Sequence, residues 1–218
     1  MLKMKNLPSY SGRGLQFLTL LLLAYVSFIC NKLVIEHFHE RRDHIKNQLI
    51  SGIPLSPYGT YYLFAFNFNW LMTLLCFVRA SVTDPGYLPL GLEPPKDHYE
   101  SPHSQCKRCK DAWKPPRAHH CRQSNRCVFK MEAYCFWLNN CVGVNNRKHY
   151  ILFLWYTMLT ALMTMFLQLD AAYCIMFVHN EARRAWLHPR FWHMFWACFL
   201  CFMMGGYFAY HCYELVME

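Results

Sequence analysis

The feature that most limits how this chain can fold is that its apolar residues come in runs as long as a bilayer is thick. Leu15 to Ile35 reads LQFLTLLLLAYVSFICNKLVI, and Tyr58 to Val78 reads YGTYYLFAFNFNWLMTLLCFV. Two more such runs occupy 150–178 and 191–216. A helix needs roughly 20 mostly apolar residues to cross the hydrocarbon core. Inside that core each backbone N–H and C=O must find its partner within the segment, which favours helices. The pattern predicts an α-helical polytopic membrane protein with four transmembrane helices, at 15–35, 58–78, 150–178 and 191–216. A cleaved signal peptide is the alternative for the first run. That run is long for a signal sequence, however, and no small-x-small cleavage pattern closes it, so it is read as retained.

Between the second and third runs lies a polar region, 79–149; the expected loops 36–57 and 179–190 join the first two and the last two runs. The formal charge of +9 on 218 residues could suggest nucleic acid. Its distribution argues otherwise. Lys3, Lys5 and Arg13 lie in an N-terminal segment without acids, and Lys107, Arg108, Lys110, Lys114, Arg117, Arg122, Arg126, Lys130, Arg147 and Lys148 lie in the long polar region. With four spans these two regions share one side, which the positive-inside rule makes cytosolic; 36–57 and 179–190 then become lumenal loops. Asn67 and Asn69 are costly in hydrocarbon and are expected to face other helices. No internal repeat is evident.

The polar region opens on the turn signal Asp84-Pro85-Gly86 and then concentrates the soft ligands Cys106, Cys109, His119, His120, Cys121, Cys127, Cys135 and Cys141. A polar domain this small buries little core, so metal ligation is the expected staple. Cys106-x-x-Cys109 forms a chelating pair, because two thiolates on one tight turn can share a tetrahedral ion. His120 and Cys127 are available as third and fourth ligands, with His119 the alternative imidazole; unliganded surface cysteines are the plainer reading. Cys121, Cys135 and Cys141 remain. If Cys121 and Cys141 bind a metal they need two partners, and Ser124 and Tyr134 are weak donors. A cysteine left outside such clusters is a candidate nucleophile. Cys135 fits that role in an electropositive setting expected to favour thiolate, a buried structural cysteine being the alternative.

These residues resemble the cysteine-rich domain of the DHHC protein S-acyltransferases (palmitoyltransferases). The resemblance is carried by Cys106-x-x-Cys109, by Lys114-Pro115-Pro116-Arg117-Ala118-His119-His120-Cys121, and by Asn125-Arg126-Cys127-Val128. It continues through Lys130-Met131, Trp137, Asn139-Asn140-Cys141-Val142-Gly143, Asn146 and Tyr150, with Asp84-Pro85-Gly86 matching a short family motif after the second span. It implies a first zinc site of Cys106, Cys109, His120 and Cys127. It implies a second built on Cys121 and Cys141 with the positions of Ser124 and Tyr134. Two ligands of the second site are missing, so one zinc is expected. Glu132-Ala133-Tyr134-Cys135 stands where the family has Asp-His-His-Cys. Cys135 matches the acylated nucleophile and Glu132 keeps the carboxylate. Ala133 removes the imidazole that would take the thiol proton, and the loss of such a base typically costs about 10²–10⁴-fold. Phe136 replaces the usual proline.

The resemblance implies transfer of a fatty acyl group from acyl-CoA, through an acyl-Cys135 intermediate, to cysteines of membrane-associated proteins. The acyl chain would lie between the spans, the partners would be the lipid bilayer and protein thiols rather than nucleic acid, and the setting would be an endomembrane, the ER or Golgi. A catalytically impaired relative serving as a membrane scaffold or acyl-binding protein is the alternative. The family's TTxE motif and bracing C-terminal segment do not appear before Glu218, which is expected to weaken stability and activity.

Overall fold

In the computed structural model, the described residues are 10–46, 57–94, 105–109, 112–173 and 189–217. Four helices carry most of them: α1 (Tyr10–Lys46), α2 (Pro57–Val82), α3 (Arg147–Tyr173) and α4 (Pro189–Met217). α2 and α4 both begin on proline, whose missing N–H costs nothing in a first turn. α1 runs well past Ile35, so part of the stretch expected as a loop is helical. The rest of that loop, and residues 179–188 of the second expected loop, lie outside the described residues. Three helices are long and apolar enough to cross a membrane among the described residues, over Arg13–Lys32, Gly59–Val82 and Arg147–Leu169.

The chain divides into two compact units. The second comprises Leu23–Leu74 and Ile151–Glu218. There the helices meet through polar side chains, as expected for Asn67 and Asn69. Asn67 and Asn31 exchange amide hydrogen bonds of 2.8 and 3.2 Å. Asn69 Nδ2 points at Met163 Sδ, and Trp70 Nε1 donates to the Leu23 carbonyl at 3.1 Å. The Tyr62 hydroxyl donates to the Met163 carbonyl. Contacts of this kind contribute about 0.6 kcal/mol each in hydrocarbon and mainly fix which faces meet. Outward-facing Phe28, Phe64 and Phe202 are exposed, as suits a lipid-covered surface.

The first unit, Met1–Leu22 with Leu75–Tyr150, contains the cysteine-rich region. It is built from three two-stranded antiparallel hairpins: β1 (Gln105–Cys106) with β2 (Ala112–Trp113), β3 (His119–Cys121) with β4 (Arg126–Val128), and β5 (Ala133–Cys135) with β6 (Asn140–Val142). Strands of two or three residues cannot stand alone. They are held by their connections to the helix ends. Pro85 stops α2, and the turn behind it is closed by Asp84 Oδ1, which accepts from the Gly86 and Tyr87 N–H groups at 2.7 and 2.9 Å. Gly86 sits at φ +101°, a conformation that L side chains rarely adopt. The segment then runs along β4, through Phe129 N–H to Gly86 O and Leu88 N–H to Cys127 O, both 2.9 Å.

Asn140 and Asn146 close the other side. Asn140 Nδ2 lies 3.1, 3.2 and 2.9 Å from the carbonyls of Ala80, Ser81 and Thr83, groups at the end of α2 with no helical partner. Asn146 is fully buried and bonds the carbonyls of Ala80 and Cys141. Gly143 lets these layers touch. A Cβ there would collide with the Pro85 carbonyl and fall 2.6 Å from Val128 Cγ1. Gly143→Ala is expected to destabilise the protein by about 1–3 kcal/mol through overpacking. Gly206→Ala, with open space around it, should not lower stability. Thermal unfolding midpoints of the two variants in detergent check this, and equal midpoints would contradict it.

Candidate metal centre and reactive thiol

The second and third hairpins share one design. Cys121-x3-Asn125-x-Cys127-Val128 recurs as Cys135-x3-Asn139-x-Cys141-Val142. Both asparagines adopt positive φ, 50° and 47°, in their turns. His120 pairs in register with Cys127, and Tyr134 with Cys141. The expectation of no internal repeat is therefore corrected: a short repeat exists, hidden because His-His is replaced by Ala-Tyr in its second copy. Two ligand patterns interleave across it. One reads Cys106-x2-Cys109-x10-His120-x6-Cys127, the other Cys121-x2-Ser124-x9-Tyr134-x6-Cys141.

The first pattern is whole in space. The ligand atoms of Cys106, Cys109, His120 and Cys127 lie within 4.8 Å of one another. His120 Nδ1 stands 3.6, 3.2 and 3.9 Å from the sulfurs of Cys106, Cys109 and Cys127, and the last two sulfurs are 3.6 Å apart. A tetrahedral zinc with ordinary bond lengths needs S···S of about 3.8 Å and S···N of about 3.6 Å. The residues fit the ion, and it is His120 rather than His119 that faces the thiols; His119 is exposed. Burial raises the thiol pKa at all three cysteines. At Cys106 it is outweighed by Cys127, by the backbone N–H groups of Arg108 and Cys109 and by the Cys109 thiol, so this thiol titrates below its ordinary value. Cys109 stays raised, and Cys127 is raised furthest, by burial and then by its two thiol neighbours. Three buried thiols at this spacing cannot all ionise without a cation among them. Burial and then Arg108 also push the His120 pKa down, which favours the neutral, ligating imidazole.

The second pattern is not assembled as a metal site. The sulfurs of Cys121 and Cys141 lie side by side between β3 and β6, at the two places of this pattern that keep a cysteine. The physical reason lies in their neighbours. Ser124 Oγ stands 3.8 Å from Cys141 Sγ, and the Tyr134 hydroxyl turns away to donate to Asn139 Oδ1 at 2.8 Å. Neither is a soft donor, so this pattern offers two sulfurs where the first offers three and an imidazole.

Cys135 differs from the other cysteines of this region. It is a free, half-buried thiol on β5, and among the described cysteines of the region it alone belongs neither to the four-donor cluster nor to the Cys121–Cys141 pair. Burial pushes its pKa up, and hydrogen bonds from the backbone N–H groups of Leu138 and Trp137 offset only part of that. The expected thiolate-favouring environment is thus corrected: the site is dry more than it is electropositive. Glu132 is nearly buried and ion-paired with Arg147 at the start of α3. Arg147 was absent from the sequence-based site. Its only signal is a basic residue directly after Asn145-Asn146, at the first position of α3. Ala133 places no titratable group beside the thiol.

Residues 99–218 match the family model described as DHHC palmitoyltransferase, more than half of the chain. Among curated relatives, the probable protein S-acyltransferase 13 of Arabidopsis thaliana is 37% identical over 129 residues, covering 51% of this chain and 42% of the relative. Palmitoyltransferase ZDHHC3 of Homo sapiens is 40% identical over 104 residues, 44% of this chain and 34% of the relative. Palmitoyltransferase ZDHHC7 of Rattus norvegicus is 36% identical over 104 residues, 44% of this chain and 33% of the relative. The chain spans less than half the length of these relatives. The family match covers both similar hairpins, the four-donor cluster and the free thiol, and the chain belongs to the DHHC palmitoyltransferase family.

Proposed function

We propose that this protein is a slow protein S-acyltransferase that carries a fatty acyl group on Cys135. The observation that carries the reading is the state of that thiol: free, half-buried, and approached at sulfur by two backbone N–H groups on a hairpin bonded to the end of α2. In the first step the Cys135 thiolate attacks the thioester carbonyl of a fatty acyl-CoA, and the C–S bond to CoA breaks. CoA leaves as a thiolate and takes up a proton. In the second step the thiolate of a protein cysteine attacks acyl-Cys135, and the enzyme sulfur departs. Each step exchanges one thioester for another, so positioning supplies most of the catalysis. The two N–H groups offset part of the cost of ionising a buried thiol. Glu132, held by Arg147, positions β5 and has no imidazole to orient.

In this reading all four helices cross the membrane, the termini and the cysteine-rich region are cytosolic, and the membrane is the ER or Golgi. The Lys and Arg distribution supports that orientation. A cavity of about 160 Å³ in the second unit, lined by Leu23, Ile29, Trp70, Thr160 and Leu200 among others, is apolar enough for part of an acyl chain. Zinc held by Cys106, Cys109, His120 and Cys127 would be a closed structural site that braces the hairpins. The impaired-scaffold reading draws on Ala133, the raised Cys135 pKa and the pairing of Glu132 with Arg147.

Incubation of the purified protein with labelled fatty acyl-CoA should give a hydroxylamine-sensitive label that Cys135→Ala abolishes. Absence of a Cys135-dependent label would leave the scaffold reading. Ala133→His should raise the initial labelling rate by roughly 10²-fold or more if the missing base limits the step. An unchanged rate would show that something else does. Metal analysis should find one zinc per chain, and Ser124→Cys combined with Tyr134→His should raise it to two under reducing conditions, by completing a four-donor set with Cys121 and Cys141. Two tightly bound zinc ions in the unaltered protein would contradict the assignment.

A further inference from the structure

The turn between β5 and β6 exposes two large aromatic side chains directly after the free thiol. Phe136 is 63% exposed and Trp137 49% exposed, while Leu138 is fully buried. The turn itself, Phe136 to Asn139, carries no charge. It is tied on both sides to helix ends. The Gln16 side-chain amide, in the first turn of the candidate span Arg13–Lys32, donates to the Leu138 carbonyl. Asn140, the first residue of β6, binds the carbonyls of Ala80, Ser81 and Thr83 where the candidate span Gly59–Val82 ends. The turn therefore lies level with the ends of two spans, where hydrocarbon gives way to headgroups. The surface around those ends is apolar as well: Phe17, Leu18 and Val82 are all exposed. The Phe136 ring is also held in place, packed edge-on against Tyr134 at 5.2 Å, and the Tyr134 hydroxyl is fixed on Asn139.

We infer that Phe136 and Trp137 insert into the headgroup–acyl boundary of the bilayer, with phospholipid as the partner that covers them. Aromatic rings at this depth are favoured because an apolar body meets lipid while the turn stays hydrated. Exposed apolar side chains both at the span ends and on the turn are what a lipid boundary requires, and a polar domain otherwise has no reason to present them. On the acyl-transfer reading, the insertion sets the depth of Cys135, the neighbouring residue. The lipid contact does not depend on that reading.

Two measurements on the full chain in phosphatidylcholine–phosphatidylserine nanodiscs test the insertion. In the first, a photoreactive benzoylphenylalanine replaces Phe136 and, separately, exposed Arg122 in the β3–β4 turn. Irradiation should give a phospholipid adduct at position 136 several-fold above that at 122. The second leaves the protein unaltered and follows hydroxyl-radical modification of Trp137, which should be several-fold slower than for tryptophan in an unfolded control. Equal lipid yields at the two positions, adducts at 136 to protein only, or modification of Trp137 at the unfolded rate would overturn the proposal. Loss of Cys135 labelling with the lipid adduct intact would instead count against the acyl-transfer reading alone.

Discussion

Everything in the cysteine-rich region depends on how the carboxyl end of α2 is satisfied. A helix ends with carbonyls that have no helical partner, and here those of Ala80, Ser81 and Thr83 are taken up by one side chain, Asn140, with Asn146 adding a second bond to Ala80. Both asparagines are buried, so leaving these carbonyls unpaired would cost on the order of 1–3 kcal/mol each. The same bonds fix geometry. Asn140 is the register partner of Cys135, which sets the free thiol at the end of α2. Asn146 directly precedes α3, so the exit of α2 and the entry of α3 are joined through one small set of amides. Gly143 makes the approach possible by having no side chain.

Around that joint, two similar hairpins have diverged in chemistry. His120 in the first and Tyr134 in the second occupy corresponding places, as do Cys127 and Cys141. Losing one imidazole and one thiol changes what the remaining sulfurs can do. In the first pattern three sulfurs and Nδ1 of His120 converge with tetrahedral spacing. In the second, two sulfurs alone, Cys121 and Cys141, lie side by side between β3 and β6. Cys121 and Cys135 hold matching positions in their hairpins, yet the first lies against Cys141 while the second stands apart. Cys135 lies outside both ligand patterns, whichever donors the second one keeps.

Much of this was legible in the sequence. Bilayer-length runs announced the helices, because length and hydropathy alone decide that question. Cys-x-x-Cys spacing announced a metal cluster, because a tight turn brings two thiolates to one ion. The interior partners of Asn67 and Asn69 also followed from the cost of a bare amide in hydrocarbon. Other features could not be read. The repeat was masked by Ala133 and Tyr134 at the positions that would have advertised it. The ion pair of Glu132 with Arg147 joins residues from two elements whose relative placement no spacing encodes. The direction of the Cys135 pKa shift was misjudged because nearby basic residues are visible in a sequence and burial is not. The exposure of Phe136 beside the span ends is likewise a property of the fold that its place in the sequence does not carry.

The central claim, that Cys135 is the residue which carries the acyl group, is tested most directly by locating that group on protein isolated without added acyl-CoA. Trypsin cleavage after Lys130 and Arg147 releases Met131–Arg147, which contains both Cys135 and Cys141. Fragment-ion spectra of that peptide should place a fatty acyl mass between Tyr134 and Phe136. An acyl mass confined to Cys141 or to the helix cysteines Cys198, Cys201 and Cys212 would contradict the account.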